Sequence, residues 1–144
     1  MIRILLILLF ISIPAHADDF FFNDMSGKPI RLANYRGKWV LVNFFSMTDA
    51  DSTAELPDLV SLQNAHKNIV VIGVVMNWKN AKSVAAFAKT NHLPYTIALG
   101  NDDIVDQIGD FPRLPANFLY SPSGDLAAAR SGSVTKDDIE RLIK

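Results

Sequence analysis

The chain contains no cysteine. This absence excludes disulfides, thiol–disulfide exchange by the chain's own atoms and a lipid-modified cysteine. Stability must come from the apolar core alone. A domain of about 125 residues can manage that, because it buries well over half of its unfolded surface. There is no basic excess either: 14 Lys and Arg stand against 15 Asp and Glu, a net charge of −1. No basic stripe is available to neutralise phosphates, so nucleic acid is not an expected partner. The same balance argues against a protein held electrostatically on a membrane. No linker and no internal repeat divides the 144 residues, so one domain is expected.

The one long apolar run is N-terminal. In "MIRILLILLFISIPAHADD", Arg3 gives a positive start, Ile4 to Ile13 an apolar stretch, and Ala15-His16-Ala17 a small-x-small cleavage site. The run is about half of the roughly 20 residues that span a bilayer. Residues 1–17 therefore read as a signal peptide and 18–144 as the domain, periplasmic or secreted, with no stable membrane anchor after cleavage. Without Arg3, 13 basic residues face 15 acidic ones, a net charge of −2.

What is present is an α/β pattern. "FFFNDMSGKPIRL" predicts two short strands about a turn. "KWVLVNFFS" and "IVVIGVVM" are continuous apolar runs, as expected of strands covered on both faces. "DSTAELPDLVSLQNAHKN" is helical, with Leu56, Leu59, Val60 and Leu62 on one side and Pro57 inside, where it removes a backbone bond or bends the helix. "NAKSVAAFAKTNHL" predicts a second helix with Val84, Phe87 and Ala88 inward. "YTIAL" reads as a short strand and "DDIVDQIG" as a short helix closed by Gly109. "ANFLYSPSGDLAAARSG" is a hairpin pattern. "TKDDIERLIK" is a closing helix capped by Thr135, with Ile139, Leu142 and Ile143 facing in. Strand–helix alternation in the middle predicts parallel strands with helical crossovers.

This order, with "RGKWVLVNF", "ELP" at Glu55–Pro57 and Pro115 before "ANFLYSPSGD", resembles the TlpA/ResA branch of the thioredoxin-like superfamily. The branch consists of exported thiol–disulfide oxidoreductases with a redoxin domain. The resemblance runs from about Phe20 to Lys144. It implies a thioredoxin-like fold, a central mixed β-sheet flanked by helices, with an N-terminal β-hairpin. It also places the two family cysteines at Asp49 and Ser52, and the family tryptophans at Phe45 and Thr48. Neither Asp49 nor Ser52 has a redox couple, so the family reaction is not available to this chain by itself. The resemblance implies a cis peptide bond before Pro115. It also implies that Leu114 offers backbone groups to an extended peptide.

Several readings of the central segment stay open at this point. Ser52-Thr53-Ala54-Glu55 fits a capping box, with Ser52 the cap and Glu55 reaching back. By the resemblance, Glu55 would instead lie beneath the lost thiols, where the family uses an acid to handle protons. Asp49, Asp51 and Glu55 together would suit a hard cation, and with it a metal-dependent enzyme. Asp49-x-Asp51-Ser-Thr also has the outline of a phosphatase nucleophile motif, but without its strand context. His66 and His92 fall near helix ends and suit surface positions. Without thiolates, no copper site of the superfamily's kind is expected, and no cofactor is expected at all. The leading expectation is a redox-inactive module binding a protein or extended peptide at Asp49, Ser52, Glu55, Arg113, Leu114 and Pro115. Trp78 and Phe111 are candidate rim aromatics. A structural subunit using another face is the alternative.

Overall fold

The computed structural model describes residues 19–144. The signal-peptide reading of residues 1–17 lies outside them. Two short strands open the chain, β1 (Phe21–Asn23) and β2 (Pro29–Arg31). They form an antiparallel hairpin in which Asp24 Oδ1 accepts the N–H groups of Ser26 and Lys28 at 2.8 and 2.9 Å. A 3-10 turn over Leu32–Tyr35 follows.

The remaining elements are β3 (Trp39–Ser46), α1 (Ala50–Ala65), β4 (Ile69–Met76), α2 (Ala81–Thr90), β5 (Thr96–Leu99), α3 (Asp102–Ile108), β6 (Ala116–Tyr120), β7 (Leu126–Ser131) and α4 (Lys136–Leu142). The five strands of the main sheet run β5-β4-β3-β6-β7. The pairs β3–β4 and β4–β5 are parallel, and β3–β6 and β6–β7 antiparallel. This is the mixed sheet of a thioredoxin-like fold, with the expected N-terminal hairpin.

The continuous apolar runs are explained by burial on both faces. Val40, Val42 and Phe44 of β3 pack with Ile104 and Ile108 of α3 and with Phe20, Phe22 and Ile30 of the hairpin. On the other face Leu41 meets Leu59 and Leu62 of α1, Ile139 of α4 and Ile143 at that helix's C-cap. Further along that strand Phe45 joins Val75, Ile97 and Val84 of α2. Helix α1 continues through Pro57, whose ring is exposed. The cost is limited to the bond Pro57 cannot donate.

One expected inward residue faces out. Leu142 is 49% exposed, because the stripe of α4 is set by Ile139 and Ile143, four residues apart. Leu142 lies about 60° off Ile139 around a helix of 3.6 residues per turn, at the flank of the stripe. It edges a small apolar groove between α4 and β7.

Two contacts finish the β5 side of the sheet. Strand β5 has four residues against eight in β4, leaving Ile69 and Val71 beyond its reach. There the Gln63 side chain of α1 donates to Ile69 O at 2.9 Å and accepts from Val71 N at 2.8 Å. The outer edge of β5 receives the Met25 N–H at Ile97 O, 2.9 Å away.

Gly73 sits in the middle of β4 where a larger residue would press on its neighbours' side chains. A Cβ there would stand 2.7 Å from Ile97 Cδ1 and 3.2 Å from Phe45 Cε1. Gly73→Val is expected to destabilise by about 1–3 kcal/mol through overpacking. The measurement is a lower urea midpoint at unchanged slope, and an unshifted midpoint contradicts it.

Candidate functional site

The loop between β3 and α1 is organised by side chains that the sequence places at a helix start. Asp49 is the N-cap of α1: its Oδ2 accepts the Ser52 N–H at 2.8 Å, and its backbone carbonyl accepts the Thr53 N–H at 3.0 Å. The capping-box expectation is therefore corrected. Asp49 is the cap and Ser52 is already inside the helix, fully buried, where its Oγ accepts the Ser46 N–H at 3.2 Å. Both residues are good caps, and the chain uses the earlier one. Ser52 thus ties β3 to α1 and does not belong to an exposed binding surface.

Glu55 does not reach back to a cap. It is 2% exposed and points beneath the loop, into the sheet. Its Oε1 accepts Asn43 Nδ2 at 2.6 Å, and its Oε2 accepts Asn117 Nδ2 at 2.9 Å and the Val134 N–H at 2.7 Å. Asn43 Nδ2 also donates to Asn117 Oδ1 at 2.9 Å. One carboxyl thereby joins α1, β3, β6 and the approach to α4. Burial pushes the Glu55 carboxyl above the ordinary glutamate range. Its hydrogen bonds from Val134, Asn117 and Asn43 act downward and only partly offset this. Burial, and then the nearby Glu55 charge, also push the Tyr95 phenol up.

This geometry separates the three carboxylates proposed for a cation. Asp49 caps, Asp51 is exposed, and Glu55 turns inward with both oxygens hydrogen-bonded. Among the described residues no three His, Asp or Glu side chains gather as a metal site. Asp49 as a helix cap also lacks the strand-end setting of a phosphatase nucleophile. His66 caps the end of α1, with Nε2 3.6 Å from Glu140. His92 is exposed, in a left-handed turn at φ 51°.

The loop before β6 faces the start of α1. The Leu114–Pro115 peptide bond is cis, and Pro115 is buried. Ser131 of β7 holds both backbone groups of Arg113: its Oγ accepts the Arg113 N–H at 3.3 Å and donates to Arg113 O at 2.9 Å. Pro115 O accepts the Gly132 N–H at 2.7 Å. Between these anchored residues, the N–H and C=O of Leu114 have no hydrogen-bond partner among the described residues. Leu114 and Arg113 form one wall of an open cleft of about 430 Å³, and Ser46, Thr48, Asp49 and Asn77 form the rest.

The structure thus brings Asp49, Arg113 and Leu114 together and leaves Ser52 and Glu55 beneath them. Trp78 does not line this cleft. It is 36% exposed, and its Nε1 donates to Gly100 O at 2.9 Å. Its neighbour Asn77, at φ 55°, takes that place. Asn tolerates the left-handed region better than most residues, and that preference is the one signal in the sequence pointing to it. Phe111 is half-buried, its ring centroid 4.8 Å from that of Phe44, and belongs to the core edge.

Residues 13–129 match the AhpC/TSA family. The chain belongs to the AhpC/TSA family. Within that family it is 31% identical over 135 residues to thiol-disulfide oxidoreductase ResA of Geobacillus kaustophilus (strain HTA426), covering 93% of this chain and 78% of the relative. ResA of Bacillus subtilis (strain 168) is 29% identical, with 93% and 77% covered. The fold is similar to that of a thioredoxin-family thiol:disulfide interchange protein from Chlorobium tepidum TLS. There the TM-score is 0.78 at 25% identity, over 88% of this chain and 92% of the other. StoA from Bacillus subtilis shares the fold at TM-score 0.73 and 21% identity, with 90% and 98% covered. This AhpC/TSA member has no cysteine anywhere in its sequence. The positions that its resemblance assigns to the reactive pair carry a helix cap and a buried hydroxyl. Among the described residues no helix is long and apolar enough to cross a membrane.

Proposed function

We propose that this domain is a redox-inactive AhpC/TSA member that binds an extended segment of a partner protein in the cleft between Leu114 and the start of α1. One observation carries the reading. In a chain without thiols, the Leu114 N–H and C=O are left without partners while the flanking Arg113 backbone is pinned by Ser131. A fixed, unpaired donor–acceptor pair at an open cleft suits an added strand, where main-chain bonds supply affinity. The leader-like segment at residues 1–17 supports a location outside the cytoplasm.

The domain is expected to give no acceleration of insulin reduction by dithiothreitol over buffer, and turnover above that blank would sink the reading. Capture from an exported fraction with the wild-type domain should recover a partner that the Asp49→Ala/Leu114→Glu variant loses. Equal recovery by both would move binding to another face.

A further inference from the structure

We infer that the segment bound in this cleft is acidic and that Arg113 reads its charge. The inference rests on the proposed binding role and adds the chemistry of the occupant. It comes from comparing the two charged residues in the cleft. Asp49 is committed: its carboxylate accepts the Ser52 N–H and lies at the N-terminus of a 16-residue helix, whose dipole offsets negative charge there. Arg113 is not committed in this way. Its side chain is exposed and has no ion-pair or hydrogen-bond partner among the described residues. Ser46, Thr48 and Asn77 are neutral. Among the residues lining the cleft, the charge without a partner is therefore that of Arg113.

Arg113 is also placed. Its backbone is held on both sides by the Ser131 hydroxyl. Its guanidinium lies against Gly132, where an added Cβ would stand 2.8 Å from Nη2. Gly132 has φ +112°, so a larger residue there is disfavoured twice over. The glycine leaves the space in which the guanidinium rests, one residue from the free backbone pair of Leu114. A strand hydrogen-bonded to Leu114 passes its side chains on alternate sides, and those turned toward Arg113 meet a planar donor matched to a carboxylate.

The test uses short synthetic peptides of one β-forming scaffold, with Glu, Gln or Lys at each position in turn, titrated by fluorescence polarisation. At the best position the wild-type domain should bind the Glu peptide about two- to fivefold more tightly than the Gln peptide, as for a solvent-exposed ion pair. The Lys peptide should be weaker still. Arg113→Gln should remove the preference and Arg113→Glu should invert it. Melting temperatures check that both variants fold, and because Arg113 is exposed its side chain carries no core packing. Equal binding of all three peptides or a preference for Lys overturns the acidic assignment, and a Glu preference unchanged in Arg113→Glu overturns Arg113 as its reader, both while leaving peptide binding standing. No binding by any peptide overturns the binding role and this assignment with it.

Discussion

Glu55→Ala should destabilise the domain by about 3–5 kcal/mol, the range reached when buried donors lose their acceptor and a cavity is left behind. That corresponds to a fall in melting temperature of about 10 °C or more for a domain of this size. The substitution removes the acceptor for Asn43 Nδ2, Asn117 Nδ2 and the Val134 N–H in one step, and each buried donor left unpaired carries its own desolvation cost. It also opens a cavity where four elements meet. A melting temperature within a few degrees of wild type (about 1 kcal/mol by the same scaling) would contradict this account. The pH dependence follows from the direction of the shift. The folded Glu55 carboxyl is raised by burial, so the fold favours its neutral form. That contribution is complete below the unfolded glutamate value and is lost as pH rises through the raised folded value. The wild type should therefore lose this part of its stability as pH rises from the unfolded glutamate value through the raised folded one. Glu55→Gln, which cannot ionise, should remove that slope while costing less than Glu55→Ala. Melting curves of both variants across this range decide it, and an unchanged slope in Glu55→Gln would assign the pH effect to other groups.

The second large effect is a gain. Asp49→Cys with Ser52→Cys is expected to give measurable insulin-reductase turnover where the cysteine-free domain is expected to give none. The position of Asp49 already receives the Ser52 N–H at 2.8 Å at the head of α1. The helix dipole and free amides that hold a carboxylate there also favour a thiolate, lowering its pKa from the free value of about 8.5. Ser52 is buried just behind it in the first turn, where a thiol can resolve a mixed disulfide. Either single substitution should be inactive, because one thiol alone cannot complete the cycle. The pKa of the Cys introduced at position 49, read from iodoacetamide alkylation against pH, should be below that of a free thiol. A folded double variant with no activity would show that the scaffold has lost more than two sulfur atoms.

Much of this architecture is legible in residues. The strands "WVLVNFFS" and "IVVIGVVM" announce burial on both faces. Turn formers mark the hairpins, and Thr135 marks the start of α4. The start of α1 is harder to place, because Asp49 and Ser52 both satisfy the chemistry of a cap and only three-dimensional position chooses between them. The Glu55 network is harder still. Asn43 and Asn117 lie 74 residues apart and meet through the register in which β3 and β6 face each other directly at those positions. Each is a lone polar residue inside an apolar strand, followed by Phe, and that shared pattern is the signal that could have paired them. Asn77 enters the cleft through a backbone angle that composition does not encode. Leu142 illustrates the limit of periodicity: an apolar residue can fit the helical stripe and still stand beyond the edge of what the stripe covers.

The Gln63 side chain has a consequence for the molecule in a crowded compartment. By completing the hydrogen bonds of β4 where β5 ends, with Met25 closing on Ile97, it leaves that side of the sheet a poor template for another chain. The opposite edge of the main sheet is the outer side of β7, and there the pairing with β6 is shifted between Leu119 and Tyr120, an irregularity that resists flat addition of strands. A domain with no disulfides to hold it closed is thus guarded against fibre-like stacking by an amide on a helix and a kink in a strand.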